Sequence, residues 1–346
     1  MMKKKFESAP IVELAKDLLA IDSPGGYTGE VNAYLEKTLK EMGFTPRYTN
    51  KQALYVDFPE GEAPRRMVTA HIDTLGAMVT EICDNGRLRF SNIGGWDYHC
   101  LETESVRVHC ASGKVLTGTI LSDKASVHIY HDIVRAEVRD YDTMAVRLDI
   151  LSNSAEETRA AGVELGDFIC FETHTEFTDT GFLKSRFLDN KVDAAILLEV
   201  LSRMVKAGEK PAEPTRLLFS NYEEMGHGVA SPPDSIREIL ALDIGTVGEK
   251  RNSRETQVTI VCKDSRTPYP FDFRQRLAKL AQDHGVEHCV DVHIRYGSDG
   301  SLAAVAGIDM DFACIGPGVD STHSLERTHE RGILATAELL DLYMRN

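Results

Sequence analysis

The chain changes texture partway along, and that change limits its architecture more than any other feature. Over residues 7–43 apolar positions fall at helical spacing, Val12, Leu18 and Leu19 and then Val31, Leu35 and Leu39, on either side of the turn-rich Ser23-Pro24-Gly25-Gly26. From about residue 76 to 166 the pattern becomes short β-branched runs, such as Val115-Leu116-Thr117-Gly118-Thr119-Ile120 and Ala145-Val146-Arg147-Leu148-Asp149-Ile150, separated by turn residues. That is the texture of a small β-barrel. Beyond Gly166 strands alternate with longer helices, one of them over residues 273–283, as a sheet covered on both faces requires. With 346 residues the chain also exceeds the size at which a single core stops growing. The expected fold is α/β: a mixed sheet sandwiched by helices, built from residues 1–75 and 167–346, with a β-barrel domain of residues 76–166 inserted.

Within the outer domain, apolar runs close on residues able to bind metal. Met67-Val68-Thr69-Ala70-His71-Ile72-Asp73 reads as a buried strand ending in a histidine. Period-two geometry returns Asp73 to the same face, spaced to accept the second ring proton of His71. Leu217-Leu218-Phe219 leads into the doublet Glu223-Glu224; neighbouring glutamates at a strand end diverge, so one can bind metal while the other stays free as a base. Asp189 stands at the start of the apolar helical segment that runs on to Gly208, Asp243 closes Ile239-Leu240-Ala241-Leu242, and His323 follows the loop containing Gly316-Pro317-Gly318. Singly, each has an ordinary explanation: a helix cap for Asp189, a turn residue for Asp243, a loop histidine for His323, a solvated pair for the glutamates. As a set, two His, two Asp and a Glu beside a spare Glu make the inventory of a two-metal hydrolase.

The chemistry calls for these residue types. Amide hydrolysis at neutral pH needs a hydroxide, and a dication lowers the pKa of bound water from about 15.7 to about 7. Imidazole and carboxylate ligands suit zinc, cobalt or manganese, whereas thiolates favour a closed structural zinc site.

The segments Ala70-His71-Ile72-Asp73, Leu188-Asp189-Asn190-Lys191, Glu223-Glu224-Met225-Gly226, Leu242-Asp243, Gly297-Ser298-Asp299 and His323-Ser324-Leu325-Glu326 follow one another in an order that resembles the M42 family of metallo-aminopeptidases. The resemblance implies two divalent metal ions per subunit, zinc first with cobalt or manganese as alternatives. It places His71, Asp189 and Asp243 on one ion and Asp189, Glu224 and His323 on the other, with Asp189 bridging. Glu223 is then the general base. The implied activity is removal of N-terminal residues from short peptides, and the inserted domain implies a homo-oligomer, a dimer or a dodecamer built from dimers. Thr74 and Asn190-Lys191 depart from the family pattern, which often has Glu and Asp-Arg there, but none of them is a proposed ligand. A related di-zinc carboxypeptidase, an N-acyl amino acid deacylase and an idle scaffold of the same fold are the competing readings, although no ligand or base is missing as the scaffold reading would require.

Composition narrows the partners. With 39 Lys+Arg against 54 Asp+Glu the formal net charge is -15, which disfavours nucleic acid and anionic membranes. No apolar run approaches the roughly 20 residues of a membrane span, and Met1-Met2-Lys3-Lys4-Lys5-Phe6 leads into Glu7-Ser8 rather than a signal core, so a cytoplasmic protein is expected. Seven scattered cysteines without a CxxC pair read as reduced, mostly buried thiols. His284 and His288 lack the glutamate placement of a zinc helix, His128 sits in a strand-like stretch of the insertion, and His227 is a loop or site residue.

Overall fold

A computed structural model describes residues 6–229 and 232–346; the lysines at the start of the chain lie outside the described residues. The chain divides into two compact units, Met1–Thr74 with His174–Asn346, and Leu75–Thr173.

The first unit is built on a mixed sheet of nine strands among the described residues. Its order is Arg47–Tyr48, Leu54–Phe58, Thr215–Ser220, Arg66–His71, Glu238–Leu242, Asp311–Val319, Val258–Lys263 and His288–Val292, with Gly245–Thr246 beside Asp311–Val319. Thr215–Ser220, Arg66–His71, Glu238–Leu242 and Asp311–Val319 are neighbours and run parallel. Met67 to His71, Leu217 to Ser220 and Ile239 to Leu242 are continuously buried. That is why these strands read as unbroken apolar runs: helices cover both faces of a parallel sheet. Four adjacent parallel strands also place their carboxyl ends along one edge, where α/β folds bind ligands.

The helix Leu188–Lys206 is buried along almost its whole length, its polar residues Asn190, Lys191 and Asp193 included. Within it Lys191 is 1% exposed, and its ammonium donates to the carbonyls of Leu18 at 2.9 Å and Ile21 at 3.2 Å. The Leu18 carbonyl belongs to the last turn of the helix Ser8–Leu19, where such groups lack intrahelical partners and a cation is favoured. Lys191, noted in the sequence as a family departure, thus ties two helices together.

The second unit is a closed antiparallel barrel in the order Gly76–Ile82, Leu88–Ile93, Met144–Leu148, Val115–Ser122, Ser105–His109 and Phe168–Phe171. Closure removes exposed strand edges. Val79, Phe90, Val106, Val108, Ile120 and Ile169 fill its interior. The unit extends past the boundary expected at residue 166, because Phe168–Phe171 pairs with both Gly76–Ile82 and Ser105–His109 and completes the barrel. His128 lies on a short helix, Val127–Tyr130, and not on a strand; nearby Ile129 and Ile133 are exposed, so no sheet face holds the segment extended. None of the seven cysteines is held in a disulfide; Cys110, Cys170 and Cys314 are buried and the other four half-buried, less enclosed than composition suggested. Among the described residues no helix is long and apolar enough to cross a membrane.

Replacing Lys191 with Met keeps the volume but leaves buried carbonyls without their charged donor. The expected cost is about 2 kcal/mol of stability, read as a lower denaturation midpoint at unchanged slope.

Candidate active site

The carboxyl edge of the four parallel strands supplies most of the site. His71 ends its strand opposite Ser220, and Asp243 follows Leu242 directly. Glu223 and Glu224 lie in a turn beyond Thr215–Ser220, not on the strand itself; Tyr222 adopts a φ of 70°, and the turn rather than the pleat sets the directions of the two glutamates. His323 arrives from the loop after Asp311–Val319 with a φ of 64°. Asp189 enters from the start of the buried helix, at a residue whose φ of -76° and ψ of 97° are not yet helical.

These residues converge. Asp189 Oδ1 is 3.0 Å from His71 Nε2, while its Oδ2 is 3.6 Å from His323 Nε2. His323 Nε2 is also 3.7 Å from Glu224 Oε2, and His71 Nε2 is 3.9 Å from Glu223 Oε2. Donor atoms of His71, Asp189 and Glu224 lie within 4.8 Å of one another, as do those of His71, Glu223 and Asp243. All six residues picked out as ligands or base therefore share one place. Asp189, Glu223, Glu224, Asp243 and His323 line a cavity of about 660 Å³ together with Arg266, Arg295 and Tyr296.

Asp73 differs from expectation. The atom facing His71 Nδ1 is the Asp73 backbone carbonyl, at 3.0 Å, with the carboxylate farther off at 3.7 Å. A carbonyl only accepts, so Nδ1 is the donating nitrogen and Nε2 is left to face the carboxylates. The Asp73 carboxylate is engaged elsewhere: it accepts the backbone N–H groups of Glu223 and Glu224, both at 3.2 Å. It anchors the turn that carries the glutamate pair to the end of the His71 strand.

Electrostatics describe a site short of positive charge. Burial pushes the carboxyls of Glu223 and Asp243 well above the usual range, Asp73 up to about 6 and Glu224 to about 7. Burial opposes ionisation of Asp189 too, but the hydrogen bonds from His323 and His71 outweigh it and hold this carboxyl low. Burial disfavours charge on both imidazoles, yet the carboxylates around them raise both. Glu224 Oε1 is buried with no hydrogen-bond partner, an arrangement that costs free energy unless a cation completes it. Clustered carboxylates, two imidazoles and an orphaned oxygen, with no thiolate, fit divalent metal.

Several supporting residues carried no assigned role in the sequence. Glu326, 1% exposed, accepts the backbone N–H of Asp189 at 3.0 Å through one oxygen and that of His323 at 2.8 Å through the other. The signal was its place three residues after His323. Asp299 accepts hydroxyls from Thr69 at 2.7 Å and Ser220 at 2.5 Å, fastening two site strands together. Asn190 donates to the carbonyl of Leu242, next to Asp243, at 2.7 Å. His227 stacks on Tyr222 at 5.0 Å and lies outside the cavity lining.

Comparison with known proteins agrees with this geometry. A family model described as M42 glutamyl aminopeptidase matches residues 53–339. The chain is 40% identical to the putative aminopeptidase YhfE of Bacillus subtilis (strain 168), over 97% of each chain. Its fold is similar to that of the TET aminopeptidase of Thaumarchaeota archaeon SCGC AB-539-E09, with a TM-score of 0.87, 19% identity, and 98% of this chain and 97% of that one covered. It is also similar to the TET1 peptidase of Pyrococcus horikoshii, which can assemble into a tetrahedron or a large octahedral shell; there the TM-score is 0.82 at 21% identity, covering 97% of this chain and 99% of that one. A family match over most of the chain, a close full-length relative and a cation-deficient cluster of His, Asp and Glu lead to one conclusion: this peptidase belongs to the M42 family of metal-dependent aminopeptidases.

Proposed function

We propose that the chain is a di-metal aminopeptidase that removes N-terminal residues from short peptides. The observation that carries this reading is the position of Asp189, one oxygen toward His71 and the other toward His323, as a carboxylate shared between two ions requires. His71, Asp189 and Asp243 would hold one ion and Asp189, Glu224 and His323 the other, zinc being the first candidate and cobalt or manganese the alternatives. Divalent ions held there would supply a lowered pKa for bound water and Lewis-acid polarisation of the scissile carbonyl.

The protein's own groups do the rest. Glu223 takes the proton from the attacking water and returns it to the leaving amine. Asp73 keeps Glu223 in place through its backbone N–H, and Glu326 does the same for Asp189 and His323. The surplus of carboxylates favours a cationic α-amine at the substrate terminus.

We further assign the catalytic role to the unit of residues 6–74 and 174–346, and self-association to the barrel unit. Support for the latter comes from the assemblies of the Pyrococcus horikoshii relative and from Val127, Ile129, Ile133 and Val138, which expose apolar side chains on the barrel unit. A dimer is the smallest assembly consistent with this, and a dodecamer a larger one. Seven thiols outside any disulfide support a reducing, cytoplasmic setting.

Glu223→Gln should keep both ions, by metal analysis, while turnover falls about 10²–10⁴-fold; near-normal turnover would remove Glu223 from its role. Stripping metal with a chelator should abolish hydrolysis and lower the melting temperature, because ions that bind only the folded state stabilise it. A peptide with a free amine should be cleaved and its N-acetylated form spared; equal cleavage would favour the deacylase or carboxypeptidase reading. Ile129→Asp should shift the mass measured by light scattering toward the monomer.

A further inference from the structure

Thr246 lines the catalytic cavity and is joined to a buried histidine that the proposed chemistry does not use. It lies on Gly245–Thr246, just beyond Asp243, where the chain leaves the sheet edge beside Gly318 and Val319. A side chain on residue 245 would collide with Thr259, so the glycine lets this short strand run close to its neighbour and fixes where Thr246 emerges. A loop holds it from the other side. His293, 2% exposed, donates its backbone N–H to the Lys263 carbonyl at 2.9 Å, and its ring packs on Tyr296 with centroids 5.1 Å apart. The Tyr296 hydroxyl donates to the Ile244 carbonyl at 2.8 Å, so Tyr296 and His293 together grip the segment 244–246 at two points.

Thr246 Oγ1 lies 2.7 Å from His293 Nδ1, a hydrogen bond that could run in either direction. Burial holds the imidazole below its ordinary pKa, so the ring is neutral and carries one proton. His293 Nε2 is buried with no hydrogen-bond partner. A proton there would strand an N–H without an acceptor, the costlier kind of buried orphan, whereas a proton on Nδ1 is used by the threonine. Nδ1–H therefore donates to Thr246 Oγ1. The hydroxyl hydrogen is left to donate into the cavity, and among the described residues it has no protein acceptor.

A neutral donor on this wall matches a neutral acceptor. The α-ammonium end of a peptide offers none, and in the peptidase reading the scissile carbonyl falls to the metal ions. The next carbonyl belongs to the leaving fragment. We propose that Thr246, its hydroxyl oriented by His293, hydrogen-bonds the first peptide carbonyl beyond the scissile bond and so favours peptides over other amides. Thr246 is the binding residue and His293 a positioning residue. The inference rests on the peptidase reading and adds to it the recognition of the leaving fragment. One neutral hydrogen bond of this kind is worth about fivefold in kcat/KM, and it appears in KM more than in kcat because that carbonyl does not change in the reaction.

The test is the ratio of kcat/KM for Leu-Gly-amide, which has that carbonyl, to kcat/KM for leucine p-nitroanilide, which lacks it. T246V should lower the ratio about fivefold, chiefly through the KM of the peptide, and T246S should restore it. H293L should lower the ratio as well, while H293N, whose amide can stand in for Nδ1–H, should recover it. A histidine that only supports the fold would slow both substrates together and leave the ratio alone. A ratio unmoved by T246V, or both substrates slowed equally, would overturn the proposal, and the T246V ratio decides even where H293L costs stability. Calorimetric binding of Leu-Gly-amide to metal-loaded E223Q and E223Q/T246V separates the two claims. Binding about fivefold weaker to the second, with no turnover of either substrate by the wild type, would uphold the contact and sink the peptidase reading. Turnover by the wild type with equal binding to the two variants would overturn the contact alone.

Discussion

A carboxylate held between two imidazoles organises this protein. Asp189 reaches His71 with one oxygen and His323 with the other, and it can do so because a buried helix begins where the ends of four parallel strands meet. The acidic groups around it, Glu223, Glu224 and Asp243, are buried and resist ionisation. Such a cluster is costly in an empty protein and favourable around cations. Much of the surrounding structure serves to keep it assembled.

That work falls to carboxylates that face backbone N–H groups or hydroxyls instead of metal-binding groups. Asp73 secures the turn of Glu223 and Glu224, Glu326 grips Asp189 and His323, and Asp299 fastens two site strands through Thr69 and Ser220. Asp73 and Glu326 use both oxygens on backbone N–H donors, and Asp299 takes both hydroxyls on a single oxygen, which fixes position without adding a competing ligand. Lys191 does comparable work farther out by binding carbonyls at the end of the first helix.

The parts of the fold legible in the sequence were those with a local signature. Continuous apolar runs marked the parallel strands, since both faces of those strands are covered, and the residue closing each run marked the site edge. The barrel texture was legible as well, but its final strand, Phe168–Phe171, was not: it follows the turn at Gly166, and only pairing with Gly76–Ile82 and Ser105–His109 shows that it completes the barrel. Asp73 was found by spacing, yet its carboxylate turned to the backbone of residues some 150 positions away, beyond the reach of period-two geometry. The glutamate pair was likewise found as a pair, while its directions came from a turn with a left-handed residue at Tyr222.

The sequence alone determined which residue types close the strands and therefore the class of chemistry, because side-chain identity fixes what can bind metal and what can move a proton. Tertiary structure decided which oxygen faces which nitrogen and which carboxylates brace backbone. Those outcomes depend on contacts between segments far apart in the chain, and local periodicity carries no information about them.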